Sequence, residues 1–581
     1  MQRYVIGFLI ELLMWFGLVA IFLWAYVTHY AGSVDAVLPH AALSMTVWVG
    51  LVSLRLAFHR IFPAERVARM ASVALMTCAF ACLVAYYGAV LSGLEHWGRV
   101  ISWPLMVSYA PQMISLIRTL GMSPVYTLGS MLGMLLSLLF LVRWTHRADW
   151  ISRVPSRLSP AMVPILVIVG LGFSSVRLYA FSVYPPAAVG EPVSLTFFPE
   201  QEARRVQSAT ARIQSVAGKS TTSMDRAETK ARAEYLPNPV AKKRNVILIV
   251  ADALRPDHMS FNGYHRETTP YLDSLARLGK MRKAERMLAV CAESLCGLLA
   301  ILQGRYVHQF PDHGFTLHEV LMRHGYRTSM ILGGDHTNYY GLKERYGDVD
   351  RYLDGSQVKG YYFNDDQLVV DHVANLPNWD GVPAMMQFHL MSSHGLGTRR
   401  KSARIFEPSV NYYRITDDWK SVQSRKLGQR VTNYYDNGVR SFDSVVQDIV
   451  ELLSEKGYLA DAIVVITGDH GELLGEHGEL SHARTLYEPV LRVPFLMMSF
   501  GEDAPKPFAL GRVASQADIA PTILRELDMP LPSTWSGRAL QDESIREFIH
   551  FQQGTQVGLV DLRDPESLWK YVIDVETGDE V

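Results

Sequence analysis

Residues 463–482 read IVVITGDHGELLGEHGELSH: an apolar run of β character delivers Asp469 and His470 into a glycine-bounded loop, and His482 follows twelve positions after His470. A carboxylate and an imidazole side by side at a strand end, with further histidines close behind, suit a divalent-metal site for phosphate or sulfate ester chemistry. Earlier segments supply partners. VILIV, residues 246–250, runs into Asp252. A carboxylate at the end of a buried strand is costly unless it is paired or metal-bound, so Asp252 is a candidate ligand, with a helix N-cap as the alternative. Ser294 precedes the apolar run LLAILQGR. At a helix start, backbone N–H groups and the helix dipole favour an anion, so Ser294 is either a nucleophile lowered in pKa by a metal or an N-cap. AMMQFHLM, 384–391, ends in Ser392-Ser393-His394-Gly395. His394 is suited to holding a transferring phosphoryl oxygen or protonating a leaving group. His389, inside that run, reads as a core histidine, and Asp335-His336, after TSMIL (328–332), as pocket lining or a plain loop. Together Asp252, Ser294, Asp469 and His470 offer one divalent cation two carboxylates, one hydroxyl and one imidazole. Such an oxygen-rich set suits Zn²⁺ or Mn²⁺, with Zn²⁺ preferred.

The elements that must position these residues begin at Asn245, where short apolar runs (246–250, 328–332, 384–391, 463–467, 493–498) alternate with helical stretches such as TPYLDSLARLG and VRSFDSVVQDIVELLSEKG. Continuous apolar strands separated by helices imply a mainly parallel sheet covered on both faces, with ligands beyond the carboxyl ends of its strands. The terminal segment VGLVDLRDPESLWKYVIDVETGDEV reads as a hairpin, and no internal repeat is present. Residues 186–244 contain few large apolar side chains and read as a tether, with a possible amphipathic helix at about 200–217. The expected organisation is therefore a transmembrane domain over 1–185, a linker over 186–244 and a catalytic domain over 245–581.

At 581 residues the chain exceeds what one core usually supports, and 56 Lys+Arg against 57 Asp+Glu gives no electrostatic footprint for nucleic acid. The apolar residues concentrate in the first third. Five stretches, about 5–27, 41–59, 70–92, 124–143 and 159–181, reach the roughly 20 residues that cross a bilayer. Residues 101–120, with two prolines and Arg118, read as re-entrant or interfacial. A cleaved signal peptide fits the first stretch poorly, because its apolar core is longer than the usual ~7–15 residues and more spans follow. Arg60, Arg66 and Arg69 follow span two, and Arg147, Arg153 and Arg157 follow span four, whereas residues 28–40 contain no Lys or Arg. The positive-inside rule then puts the N-terminus in the cytoplasm and everything after about residue 185 outside it. Cys291 and Cys296 lie in that outer part and form either a disulfide or two free thiols.

NVILIVADALRPDHMSFNGYHRETTPYLDSLA, SLCGLLAILQGRYVHQ, VITGDHGELLGEHGELSHARTLYEPVLRVPFLMM and SQADIAPTILRELDMPLP, over about 245–545, resemble in content and order the sulfatase branch of the alkaline phosphatase superfamily. With membrane spans ahead of it, the arrangement is similar to the bacterial phosphoethanolamine transferases and lipoteichoic acid synthases. The resemblance implies an N-terminal α-helical membrane domain of five transmembrane helices and a C-terminal α/β sandwich of alkaline phosphatase/sulfatase type with a mostly parallel central sheet. It places Asp252 at the first acidic ligand, Ser294 at the nucleophile, Asp469 and His470 at the ligand pair, and His394 and His482 at the two histidines that handle substrate phosphate. It also implies a phospholipid headgroup donor, an envelope glycan or lipid acceptor, and residence in the bacterial inner membrane with the catalytic domain in the periplasm. Ser294-Leu-Cys-Gly-Leu298 lacks the Pro and Arg of the C/S-x-P-x-R motif that sulfatases convert to formylglycine, and Ala251 stands where sulfatases carry a second Asp. Both departures favour direct attack by serine. The expected activity is transfer of phosphoethanolamine or phosphoglycerol through a phospho-serine intermediate. The alternatives are a membrane-anchored sulfatase or phosphoester hydrolase, and a non-catalytic lipid-sensing regulator.

Overall fold

The computed structural model describes residues 2–30, 33–97, 100–119, 122–145, 150–151, 161–186, 190–198, 214, 220–357, 361–362, 364–415, 425–501, 503–508, 513–543, 546–564, 567–575 and 577–580. The expected amphipathic helix around 200–217, apart from Gln214, lies outside these residues, as do Arg147, Arg153 and Arg157. The chain forms two compact units: Met1–Ala110 with Met122–Arg205, and Pro111–Gly121 with Val206–Val581.

Four helices are long and apolar enough to cross a membrane: Val5–Thr28, Val34–Ile61, Glu65–Leu94 and Met162–Val183. The expected span at 124–143 is helical but passes that test only jointly with the preceding stretch, as the bent pair Trp103–Thr119 and Pro124–Phe140. Five crossings therefore require that pair to count as one. A 3₁₀ turn, Ala110–Gln112, interrupts the first arm at Pro111, which has no amide proton for a helical bond. Leu13, Trp24 and Ile168 point outward from the N-terminal unit, as lipid-facing side chains do. Its buried charges are paired, Arg55 donating to Glu11 at 2.7 Å and His40 lying 2.7 Å from Glu191.

The C-terminal unit is built on a seven-stranded sheet ordered Met281–Lys283, Phe495–Phe500, Ala462–Gly468, Asn245–Ala251, Ala384–Leu390, Arg327–Leu332, Arg351–Leu353. Four pairings are parallel. Phe495–Phe500 pairs antiparallel with both its neighbours, so the sheet is mixed. Every residue of the three adjacent strands 245–251, 384–390 and 462–468 is buried, which explains their predominantly apolar sequences. Helices such as Ser294–Gln303, Ile519–Glu526 and Arg425–Glu455 accompany the sheet. The C-terminal hairpin is present as Gln556–Asp561 with Trp569–Asp574, and Phe548–Gln553 adds a third antiparallel strand. Within the stretch read as a tether, Thr221–Glu234 is a helix of this unit. Its Glu228 is paired with Arg305, and its Arg232 donates to Glu319.

Register decides where the chemistry falls. Ala251 is level with Leu390 on one side and Gly468 on the other. The next residues of all three strands, Asp252, Met391 and Asp469, therefore leave the sheet side by side at its carboxyl edge.

Candidate active site

Asp252, Ser294, Asp469 and His470 meet at that edge, and all four are buried. Ser294 Oγ donates to Asp252 Oδ2 at 3.4 Å and lies 3.2 Å from His470 Nε2. His470 Nε2 is 3.7 Å from Asp252 Oδ1 and 3.8 Å from Asp469 Oδ2. Neither N-cap alternative is realised. Ser294 is the first residue of its helix, with Glu293 at the cap position, and Arg255 caps the short turn that follows Asp252. His470 donates from Nδ1 to the Gly471 carbonyl at 2.8 Å. That bond fixes the tautomer and turns the Nε2 lone pair toward the carboxylates, the arrangement of a metal-ligating histidine.

The donor set fits a divalent cation. Asp252 Oδ1 is buried and takes no hydrogen bond among the described residues. Burial and the nearby Asp469 and Glu472 carboxylates push the Asp252 pKa well up, a repulsion that a bound cation would offset. Burial opposes ionisation of Asp469 too, but His470 and the hydrogen bond from His389 hold its carboxyl well below the usual range. Asp252, His389 and Asp469 each present a ligand atom, all within 4.8 Å of one another.

Sequence reading gave His389 to the core. It is buried in its strand, and Nε2 lies 3.1 Å from Asp469 Oδ2 while Nδ1 lies 2.8 Å from His336 Nε2. A carboxylate only accepts, so His389 donates to Asp469 and orients it. The only signal available for this was parity, since Val250, level with His389, stands two residues before Asp252.

His394 and His482 lie together beside His470, with ring centroids 5.3 Å apart for the first pair and 4.2 Å for His470 and His482. His394 Nδ1 accepts from the Leu396 amide at 3.3 Å, which leaves Nε2–H to the Tyr413 hydroxyl at 3.0 Å. Burial and its two histidine neighbours push the His394 pKa well below normal. His482 behaves oppositely: burial disfavours its charge, yet the Glu472 carboxylate, 2.9 Å from Nδ1, holds its pKa above the usual value. Glu472 also accepts from the Tyr412 hydroxyl. Glu472, Tyr412 and Tyr413 were missed, because nothing in GDHGELLGEH separates Glu472 from its acidic neighbours. With His394 and His482, Glu472 presents a second set of three ligand atoms within 4.8 Å. Cys291 and Cys296, which flank Ser294, are joined by a disulfide.

A mixed sheet whose carboxyl edge gathers two aspartates, a histidine and a helix-start serine defines a class of metal-assisted ester-cleaving domain. Residues 244–529 match the sulfatase family model. Arylsulfatase K of Bos taurus is 35% identical over 145 residues, covering 25% of this chain and 26% of that protein. The phosphatidylethanolamine transferase Mcr-1 of Escherichia coli is 22% identical over 302 residues, covering 50% of this chain and 54% of that one. Among solved structures, the integral membrane lipooligosaccharide phosphoethanolamine transferase A of Neisseria meningitidis aligns over 87% of this chain and 97% of its own, at 16% identity and a TM-score of 0.44. The chain spans only 14% to 26% of the length of the first curated relatives it matches.

Proposed function

We propose that the protein transfers a phosphoalcohol headgroup, phosphoethanolamine or phosphoglycerol, from a membrane phospholipid to an envelope glycan or lipid. A phosphoester on Ser294 is the intermediate. One observation carries the reading: Ser294 Oγ stands at the start of an apolar helix, within 3.4 Å of Asp252 Oδ2 and 3.2 Å of His470 Nε2. Asp252, Ser294, Asp469 and His470 would hold a divalent cation, Zn²⁺ before Mn²⁺, which would supply Lewis-acid stabilisation of the serine oxygen and of the attacked phosphoryl group.

Ser294 Oγ attacks phosphorus and gives up its proton toward Asp252 Oδ2, its acceptor at rest. The bond from phosphorus to the diacylglycerol oxygen breaks, and that oxygen takes a proton from His482, whose protonated form Glu472 favours. His394 turns Nε2–H from Tyr413 to a non-bridging phosphoryl oxygen. In the second half an acceptor hydroxyl gives its proton to His482 and attacks phosphorus, the bond from phosphorus to Ser294 Oγ breaks, and that oxygen takes back the proton left at Asp252 Oδ2. The matched Mcr-1, a phosphatidylethanolamine transferase by name, supports transfer. So does the serine stretch, which lacks the residues that formylglycine formation requires.

The domain's location follows from parity. Loops rich in arginine at 60–69 and 143–157 are both cytoplasmic only if the pair Trp103–Phe140 crosses once. Residues after 185 then lie in the periplasm of an inner-membrane protein, where the Cys291–Cys296 disulfide is stable.

The test is membranes carrying the parental chain or Ser294→Ala, incubated with phosphatidylethanolamine and phosphatidylglycerol labelled in the headgroup. The parental chain acquires label on Ser294 and passes it on, and Ser294→Ala does neither. Transfer retained in Ser294→Ala rejects the mechanism. Free headgroup released without an acceptor product selects a hydrolase instead.

A further inference from the structure

A cavity of about 470 Å³ lies behind the turn that brings His394 into the site. Arg118, Arg399, Arg404, Glu407, Asn411 and Tyr434 line it. All belong to the C-terminal unit, to which Pro111–Gly121 also belongs, and Asn411 Nδ2 reaches the Thr119 carbonyl at 3.4 Å.

The charge of this cavity is unbalanced. Among the described residues none of the three arginines is ion-paired, whereas the adjacent Arg400 is paired with Asp448 at 2.6 Å. Glu407 is the one carboxylate of the lining and is bonded to the Ser409 amide at 2.6 Å and the Ser409 hydroxyl at 2.9 Å rather than to an arginine, so it offsets at most one of the three charges. The Arg399 guanidinium is buried and fixed, stacked 3.7 Å from the centre of the Tyr434 ring and donating to the carbonyls of Gly397 and Tyr434. Arg118 and Arg404 are exposed. The Arg399 nitrogens are bonded to carbonyls and the Tyr434 hydroxyl, which fix the group without neutralising it; its charge together with those of the two solvent-reaching arginines suits an anion. Planar arginine forks match phosphate oxygens, and the volume suits a phosphorylated sugar or a lipid headgroup better than a bare ion.

The cavity and the site share one turn. Arg399 Nη2 donates to the His394 carbonyl at 3.2 Å, and Asn411 Nδ2 and the Tyr434 hydroxyl both donate to the Gly395 carbonyl at 2.9 Å. A ligand anchored here sits on the outer side of the backbone whose inner side presents His394.

We propose that this cavity docks a phosphate group carried by the acceptor, so that the enzyme selects anionic acceptors. The role as acceptor site rests on the transfer reading above. The arginine-dependent binding does not. The experiment uses the full chain as Ser294→Ala in detergent micelles, where turnover is blocked. It is titrated calorimetrically with glucose 6-phosphate, with glucose and with dihexanoyl phosphatidic acid. At least one phosphate-bearing probe binds, glucose does not, and Arg118→Gln and Arg404→Gln each weaken binding about tenfold, the effect of losing one charge-assisted contact. Tighter binding of glucose 6-phosphate assigns the phosphate to a glycan, and tighter binding of phosphatidic acid assigns it to a lipid. Both substituted residues are exposed, so thermal unfolding of the two variants should match the parental chain. The inference is overturned if both variants bind every probe as the parental protein does. Headgroup labelling of Ser294 in the otherwise parental chain separates the two failures. Label without arginine-dependent binding overturns this inference alone, and arginine-dependent binding without label leaves an anion site whose role as acceptor site is overturned.

Discussion

Gly297, one turn into the helix that starts at Ser294, sits where a side chain would collide with the metal-binding edge of the sheet. A Cβ built there would lie 2.3 Å from the Asp469 carbonyl oxygen and 3.0 Å from its carbon, where ordinary contact begins near 3.4 Å. Gly297→Ala must therefore separate the helix from residue 469 by about 1 Å, since the obstacle is backbone rather than a side chain that can swing away. In an unobstructed helix the same change would stabilise by about 1 kcal/mol, whereas overpacking of this kind costs about 1–3 kcal/mol. The balance predicts a modest net loss of stability. The larger consequence is geometric. The displaced element carries Ser294, whose oxygen must stay level with Asp252 and His470, and a misplacement of about 1 Å costs on the order of 100-fold in rate. The assay is the initial rate of headgroup labelling of Ser294 at saturating phospholipid, alongside thermal unfolding. Labelling of Gly297→Ala at the parental rate would show that this close approach does not position the nucleophile.

Other perturbations separate the roles of the neighbouring groups. His389→Leu removes the donor to Asp469 and should weaken metal retention about 10- to 100-fold, read by competition with a chromogenic chelator; unchanged retention would return His389 to the core. Glu472→Gln strips the counter-charge from His482 and should slow headgroup transfer about 100-fold with metal content unchanged; transfer at the parental rate would remove His482 from proton donation. Asp443 accepts from the amides of Tyr271 and Leu272, yet burial pushes its pKa up to about 7. The folded chain then holds a proton that the unfolded chain has lost above about pH 4, so the contribution of Asp443 to stability is greatest below that pH and falls as pH rises to about 7, by at most about 1.4 kcal/mol per unit. Asp443→Asn should flatten the slope of stability against pH in that window, and an unchanged slope would assign the titration elsewhere.

What could be read in advance follows from how each residue is specified. Asp252, Asp469 and His394 stand just beyond mainly apolar runs, and a buried strand must end before a charged residue can be solvated or ligated. Their positions were therefore visible one strand at a time. That they end level with one another was not, because register is a property of pairing rather than of either strand. The edge strands Met281–Lys283 and Arg351–Leu353 escaped because three residues carry no period. His389 is buried in its strand as read, but its bond to Asp469 was hidden for a related reason. Its strand is buried on both faces, so burial does not distinguish a histidine packed among apolar side chains from one bonded to a ligand carboxylate. The membrane spans were legible where apolar length alone decides; at 101–143, where Pro104, Pro111 and Arg118 break the run, the expected span over 124–143 passes only as part of a bent pair.

The broken arm joins the two halves of the argument. Arg118 adds a charge that would be costly inside a span, and its segment belongs to the C-terminal unit, where it lines the cavity behind His394. The same irregularity that interrupts the helix thus brings an arginine to the cavity. Asp252, Ser294, Asp469 and His470, by contrast, stand at strand ends and a helix start within a buried sheet. In the proposed reading, chemistry is held by the rigid part of the fold, while acceptor recognition falls to a turn and to the segment that carries Arg118. Substitutions at Arg118 and Arg404 should therefore change which acceptors are used, and substitutions at Gly297 should slow the reaction with all of them.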